Sequence, residues 1–213
     1  MALFFEQNIK NGGKLGIWKI EEPESFFSER VPLYQDISHP YKRLQHLAGR
    51  YLLRHLVEHF PVQDIKIADT KKPYLQNDAY HFSISHCGNF AAAIINDNMP
   101  VGIDIEIVTP RIQRIGNKFL HEREVDYLSD FVELPQLHLE LITVIWSAKE
   151  AVFKWYGKGK VDFKNHITLC KPIVIGTNEE IDMYFMFSRE HTPYEIRIKA
   201  RLFKHLVLAY IVH

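Results

Sequence analysis

The chain has 213 residues, 46% hydrophobic and 24% charged, the balance of a globular protein with a real core rather than a disordered one. Its 26 basic residues offset 26 acidic ones, so no global charge favours nucleic acid or an anionic membrane, and any anion site has to be local. A chain of this length buries roughly 70% of its unfolded surface, so it requires neither disulfides nor a structural metal.

Its two cysteines, Cys87 and Cys170, stand far apart and form no Cys-x-x-Cys pair. At the amino terminus, residues 2–5 form a brief apolar stretch with no basic region before it, unlike a secretory signal. The longest apolar run, 206–212, is too short to cross a bilayer as a helix. These features predict a reducing, cytoplasmic setting and no membrane partner. Gly12-Gly13 reads as a turn. Residues 41–60 carry Leu44, Leu47, Ala48, Tyr51, Leu52 and Leu56 at helical spacing, with Pro61 as a stop. Arg43, His46 and Arg50 fall on the polar side of that helix and form a candidate basic wall. Arg50 and Arg54 are like charges one turn apart, unfavourable unless anions or acids lie nearby. His55 and His59 have the spacing of a metal pair, but no Glu follows His55, so they read as a polar face.

Residues 62–68 and 81–85 alternate as strands, and 91–95 reads as a buried one. Lys71-Lys72-Pro73-Tyr74 and Phe82-Ser83-Ile84-Ser85-His86 supply phosphate-directed donors, two lysines before a rigid proline and then a hydroxyl beside an imidazole. Taken singly, each is an ordinary basic turn or strand end. Cys87 next to His86 is no nucleophile–base pair, because adjacent strand residues point oppositely. Residues 96–100 form a polar seam that reads equally as a linker or as a loop inside one domain.

The strand predicted at 101–108 carries Asp104 and Glu106 on one face and Ile103 and Ile105 on the other. Neighbouring carboxylates repel unless a cation or a shared proton sits between them, and a hard divalent ion such as Mg²⁺ suits the pair. Two solvated acids on an exposed face read equally well. Helices follow at 122–132 and 136–156, the second ended by Gly157 and Gly159. In it Leu141, Ile145, Ala148 and Val152 make an apolar stripe, Glu150 falls nearly opposite, and Lys154 lies one turn on. Standing alone, such a Glu–Lys pair is a solvated pair worth roughly 0.3–0.5 kcal/mol. The tail alternates at 173–175, 183–187, 194–199 and 206–212, with hairpin connections, which predicts an α+β fold with mostly antiparallel sheet. No phosphate-binding Gly-x-x-x-x-Gly-Lys-Ser/Thr loop and no Gly-x-Gly-x-x-Gly occurs, which disfavours an NTPase or a Rossmann enzyme.

Together these motifs resemble a known family. Val-Gly-Ile-Asp-Ile-Glu at 101–106 and Trp-Ser-x-Lys-Glu-Ala-x-x-Lys at 146–154 look like the two signatures of 4′-phosphopantetheinyl transferases. Lys72-Pro73 and Phe-Ser-Ile-Ser-His at 82–86 match that family's upstream motifs in order. Size and layout resemble the surfactin-synthetase-activating type, which implies two similar α+β halves packed as a pseudo-dimer: 1–100 on the coenzyme A phosphate and adenine side, 101–213 with the metal and catalytic helix. The resemblance implies transfer of the phosphopantetheine arm of coenzyme A to a serine of an apo acyl or peptidyl carrier protein by a monomer. It implies Asp104, Glu106 and Glu150 as Mg²⁺ ligands, Glu150 also as the base for the serine, and Lys154 on the leaving phosphate. Lys72, Ser85 and His86 match positions holding coenzyme A phosphates. Gln45 and His46 stand where a basic or hydroxyl residue is common, so Arg43 or Arg50 is expected to substitute. Glu124 matches a further acidic position near the metal, and Lys118, Phe119 and Leu120 are candidates for carrier docking. Two alternatives use the same residues: a metal-dependent hydrolase of the coenzyme A pyrophosphate, and a non-catalytic module that binds coenzyme A or carriers.

Overall fold

A computed structural model describes residues 3–9, 11–33, 36–176, 179–190 and 192–213. Ala2, at the head of the short apolar stretch 2–5, lies outside them. The chain divides into two compact units, Met1–Ile105 and Glu106–His213.

The first unit opens with a hairpin of β1 (Leu3–Ile9) and β2 (Gly13–Lys19). Asn11 and Gly12 lie in its turn with left-handed φ of 64° and 80°, a conformation that Asn and Gly adopt most readily. With β5 (His81–Cys87) and β6 (Phe90–Asn96) these strands form an antiparallel sheet of order β1-β2-β6-β5. Helix α1 (Glu24–Ser28) is short, whereas α2 (Pro40–Leu56) is the long helix packed on this sheet. Pro40 suits the first turn of α2, where its missing N–H would have no helical partner. Leu47, Ala48, Leu52, Leu53 and Leu56 bury one side of the helix against Trp18, Phe82, Ala91, Ala93 and Ile95. Each fully buried leucine there contributes about 1.5–3 kcal/mol of transfer free energy. The helix stops at Leu56, short of the predicted residue 60, because Val57 is extended and His59 takes a left-handed φ of 65°. The predicted strand 62–68 is split into a 3₁₀ turn, Val62–Asp64, and β3 (Ile65–Ile67), which pairs with β4 (Pro73–Leu75) in a sheet of its own among the described residues.

β7 (Val101–Ile107) contains the division between the units. The second unit has α3 (Pro110–Arg114), α4 (Glu122–Ser129) and α5 (Pro135–Tyr156), then β8 (Ile167–Leu169), β9 (Val174–Ile175), β10 (Glu180–Phe187), β11 (Tyr194–Phe203) and β12 (Leu206–Val212). Its sheet runs β7-β12-β11-β10-β8, with β9 also on β10. The pairings among β8 to β12 are antiparallel. Helix α5 lies on β12 and β11 and buries Leu141, Ile145, Ala148 and Val152, the stripe read from the sequence. Gly157 ends it in the left-handed conformation, φ 67°, which costs a glycine nothing. The α+β expectation thus holds: each unit carries one long helix on one largely antiparallel sheet.

Candidate functional site

In the first unit, alternation along β5 sorts the Phe-Ser-Ile-Ser-His motif onto two faces. Ser83 and Ser85 point one way, and their hydroxyls accept the backbone N–H of Ile103 and of Ile105, each at 3.3 Å. They take over hydrogen bonds that a neighbouring strand would otherwise satisfy. Ser85 Oγ also donates to Asp104 Oδ1 at 2.8 Å, both residues being buried. The sequence groups Ser85 with His86; the structure joins its hydroxyl to Asp104.

Phe82, Ile84 and His86 take the other face of β5. Helix α2 approaches closely there, since a Cβ on Gly49 would stand 2.6 Å from Ile84 Cγ2. Beside this contact, Arg50 Nη1 lies 3.0 Å from His46 Nδ1 one turn back on α2. A guanidinium carries only donors, so Nδ1 must accept and the His46 ring proton sits on Nε2. Burial, the Arg50 charge and His86 together depress His46 to about 4, leaving it neutral at ordinary pH. Burial alone lowers Arg50 to about 10, and it stays charged.

The two candidate arginines differ. Arg43 Nε donates to Glu24 Oε1 at 2.7 Å and its Nη1 to the Ile37 carbonyl at 2.9 Å, and the carboxylate holds its proton more firmly. Arg50 makes no ion pair among the described residues. Gln45, in the position where a cation is common, donates to the Gly88 carbonyl at 2.8 Å. Lys72 is half-buried beside a small cavity of about 50 Å³ lined also by Tyr74, Tyr80 and Phe82, and burial pulls its ammonium below the usual lysine range. His55 stacks edge-on against Trp18 and approaches Glu6 at 3.5 Å, whereas His59 is exposed beyond the helix, so the two form no metal pair.

In the second unit Trp146 Nε1 donates to Glu106 Oε1 at 3.0 Å. The indole is wedged between Phe119 and Phe163, with ring centroids 4.9 and 5.6 Å away. Trp146, Glu150 and Lys154 are all half-buried and recur every fourth residue, so they line one face of α5. Through the indole, Glu106 is fixed at the head of the face that carries Glu150 and Lys154. Among the described residues no three His, Cys, Asp or Glu side chains are gathered as a ready cation cage. The donors are nonetheless all carboxylate oxygens, the chemistry of a hard cation, and two are already oriented by a hydroxyl and an indole.

Two expectations are corrected here. Glu124 is wholly buried: Oε2 takes Lys149 Nζ at 2.6 Å and the His121 N–H at 2.8 Å, while Oε1 takes the Leu169 N–H at 2.8 Å. It caps α4 and neutralises a buried lysine, so it serves the fold and not a cation. Lys149 completes this cluster by donating to the Phe119 and Phe163 carbonyls at 2.7 and 2.9 Å. Its role was hidden because it stands inside the signature beside Glu150; one signal was available, as position 149 falls next to the apolar stripe at 145, 148 and 152. Phe119 and Leu120 are core residues, 1% and 7% exposed, and offer no docking surface.

The model of the 4′-phosphopantetheinyl transferase superfamily matches residues 100–209. The chain is 34% identical over 121 residues to the 4′-phosphopantetheinyl transferase psf-1 of Bacillus pumilus, covering 53% of this chain and 50% of that protein. It is 32% identical over 121 residues to the 4′-phosphopantetheinyl transferase AcpT of Escherichia coli K12, covering 54% and 59%. With the 4′-phosphopantetheinyl transferase gsp of Aneurinibacillus migulanus it shares 31% over 130 residues, covering 59% and 52%. The chain belongs to the 4′-phosphopantetheinyl transferase superfamily. It spans 50 to 59% of the length of these relatives.

Proposed function

We propose that this chain is an enzyme that transfers the 4′-phosphopantetheine arm of coenzyme A to a serine of an apo acyl or peptidyl carrier protein, releasing adenosine 3′,5′-bisphosphate. The observation that carries this reading is the Trp146–Glu106 hydrogen bond, which ties the acidic strand to the α5 face bearing Glu150 and Lys154. Residues 1–100 take the phosphates and adenine of coenzyme A, and 101–213 supply the catalytic helix.

In the proposed reaction the serine oxygen attacks the phosphorus that bears the pantetheine arm. The new O–P bond forms as the bond to the bridging oxygen of adenosine bisphosphate breaks. Glu150 takes the serine proton, directly or through a water. Lys154 places positive charge beside the departing phosphate, where charge builds up in the transition state. Asp104, Glu106 and Glu150 would hold Mg²⁺, which when bound neutralises the diphosphate oxygens. The Ser85 hydroxyl, which donates to Asp104, stands with the groups that hold coenzyme A phosphates. Lys72, His86 and Arg50 bind phosphate groups of coenzyme A; Arg43, held by Glu24, is the weaker of the two arginine candidates. Two cysteines far apart in the sequence and a neutral charge balance suit a cytoplasmic protein that acts on soluble partners, here as a monomer.

Incubation with coenzyme A, Mg²⁺ and a panel of apo-carriers, read by intact mass, tests the proposal. One phosphopantetheine per carrier is expected, and Asp104→Ala is expected to abolish it. Free phosphopantetheine in the absence of carrier would replace transfer by hydrolysis. Binding of coenzyme A with no mass change on any carrier would reduce the protein to a binding module. Lys154→Ala is expected to lower turnover by roughly 100-fold with little change in the affinity for coenzyme A.

A further inference from the structure

Arg50 is a buried cation with no carboxylate partner among the described residues, 9% exposed, and its one hydrogen bond is to a neutral imidazole. Burying a charge without its counter-ion is costly, so such a residue marks a place where an anion arrives from outside. None of its nitrogens is both sealed from solvent and without a partner, so the donors not engaged by His46 open to the surface. The Gly49–Ile84 contact sets this end of α2 against the face of β5 that carries His86, which is near enough to help depress His46. Arg50 and His86 together suit two negative charges, which a phosphomonoester carries near neutral pH and neither phosphate of a diphosphate does.

We propose that His46 is a positioning residue for phosphomonoester recognition: its Nδ1 holds the Arg50 guanidinium in the orientation that meets the 3′-phosphate of coenzyme A, so the 46/50 pair sets the preference for coenzyme A over 3′-dephospho-coenzyme A. This inference rests on the transferase reading and adds a residue to it. The division of labour follows from donor chemistry. Arg50 cannot fix itself, because a guanidinium on a flexible stem needs an acceptor to hold one edge while another edge faces the ligand. His46 supplies that acceptor from the same helix, one turn away, and the neutral ring adds no competing charge.

The test uses the full chain, with binding of coenzyme A and of 3′-dephospho-coenzyme A measured by calorimetry and steady-state kinetics run on an apo-carrier. His46→Leu removes the acceptor and is expected to weaken coenzyme A about 10-fold in Kd and KM, the scale of one hydrogen bond to a charged group. It should leave 3′-dephospho-coenzyme A within about twofold and kcat at saturation unchanged. His46→Asn, which keeps an oxygen near the Nδ1 position, should restore most of the loss. A His46→Leu protein that binds both donors as the wild type does, or weakens both equally, overturns the proposal while the transferase reading stands. A wild-type protein that binds neither donor removes both. Should His46→Leu fold poorly, the comparison of His46→Asn with His46→Ser, whose hydroxyl is too short to reach Arg50, decides the same question.

Discussion

Lys149 and Glu150 are neighbours on α5 with opposite duties. Lys149 has its three protons on Glu124, Phe119 and Phe163, inside the core of the second unit, and burial draws its pKa down even though the Glu124 carboxylate pushes it up. Glu150 is half-buried on the face shared with Trp146 and Lys154. A helix turns about 100° per residue, so one step along the chain moves a side chain from the core to the reactive face. Removing one member of a buried pair leaves the other uncompensated, at about 3–5 kcal/mol. Lys149→Met is therefore expected to lower unfolding free energy in urea by that amount. Glu150→Gln should stay within about 1 kcal/mol of wild type while carrier loading is lost. A Lys149→Met protein as stable as wild type would show that the buried ammonium contributes nothing to the fold. Glu124→Gln offers no repair, because the NH2 that replaces one carboxylate oxygen faces one or two groups that are themselves donors, and the buried ammonium loses its counter-charge.

At the scale of elements, α2 meets β5 through Gly49. Alanine is the better helix former by about 1 kcal/mol, yet its Cβ would stand 2.6 Å from Ile84 Cγ2. Overpacking of this kind typically costs about 1–3 kcal/mol, so Gly49→Ala is expected to destabilise, or at best break even. In an Ile84→Ala background the same change should become stabilising, and chemical denaturation of the four proteins in the cycle reads that reversal directly. No change of sign would mean that the backbone yields and the close approach is not what selects glycine. Elements with strong periodicity were legible in the sequence: α2, α5, β7 and the closing strands carry their apolar residues at the helical or strand period. The β1–β2 hairpin was not, although Gly12 was read as a turn. β1 is half-exposed throughout and Gly16 leaves a gap in β2 that Leu52 and Leu56 fill from the helix, so no clean alternation reaches the sequence. β4 and β8 are too short to show any period. The site was legible as residue types, and less so as partners. Alternation already separates Ser85 from His86, but nothing in the spacing says that Ser85 finds Asp104. Nor does it say that Arg43 is held by Glu24, 19 positions away.

For the whole molecule, pH acts through the groups whose protonation differs between folded and unfolded chains. The chain has 12 histidines, and one that titrates alike in both states shifts charge without shifting stability. His46 does not titrate alike: folded, it is held at about 4 by burial, by Arg50 and by His86, against an ordinary value of 6.5. Between those values the unfolded chain binds a proton at this position that the folded chain does not, so stability rises with pH across the window. The loss is absent at pH 7, grows as pH falls below about 6.5 and is complete near 4. A gap of this size corresponds to as much as about 3 kcal/mol. Urea unfolding of wild type and His46→Asn at a series of pH values between 7 and 4 isolates the contribution, because other acid-sensitive groups are common to both. The variant is expected to lose less stability than wild type on acidification, with the two curves diverging below pH 6.5. Parallel curves would mean that the imidazole is solvated and charges freely beside Arg50. Above the window, Arg50 at about 10 stays protonated, so the pair itself should persist unchanged from pH 7 to about 9.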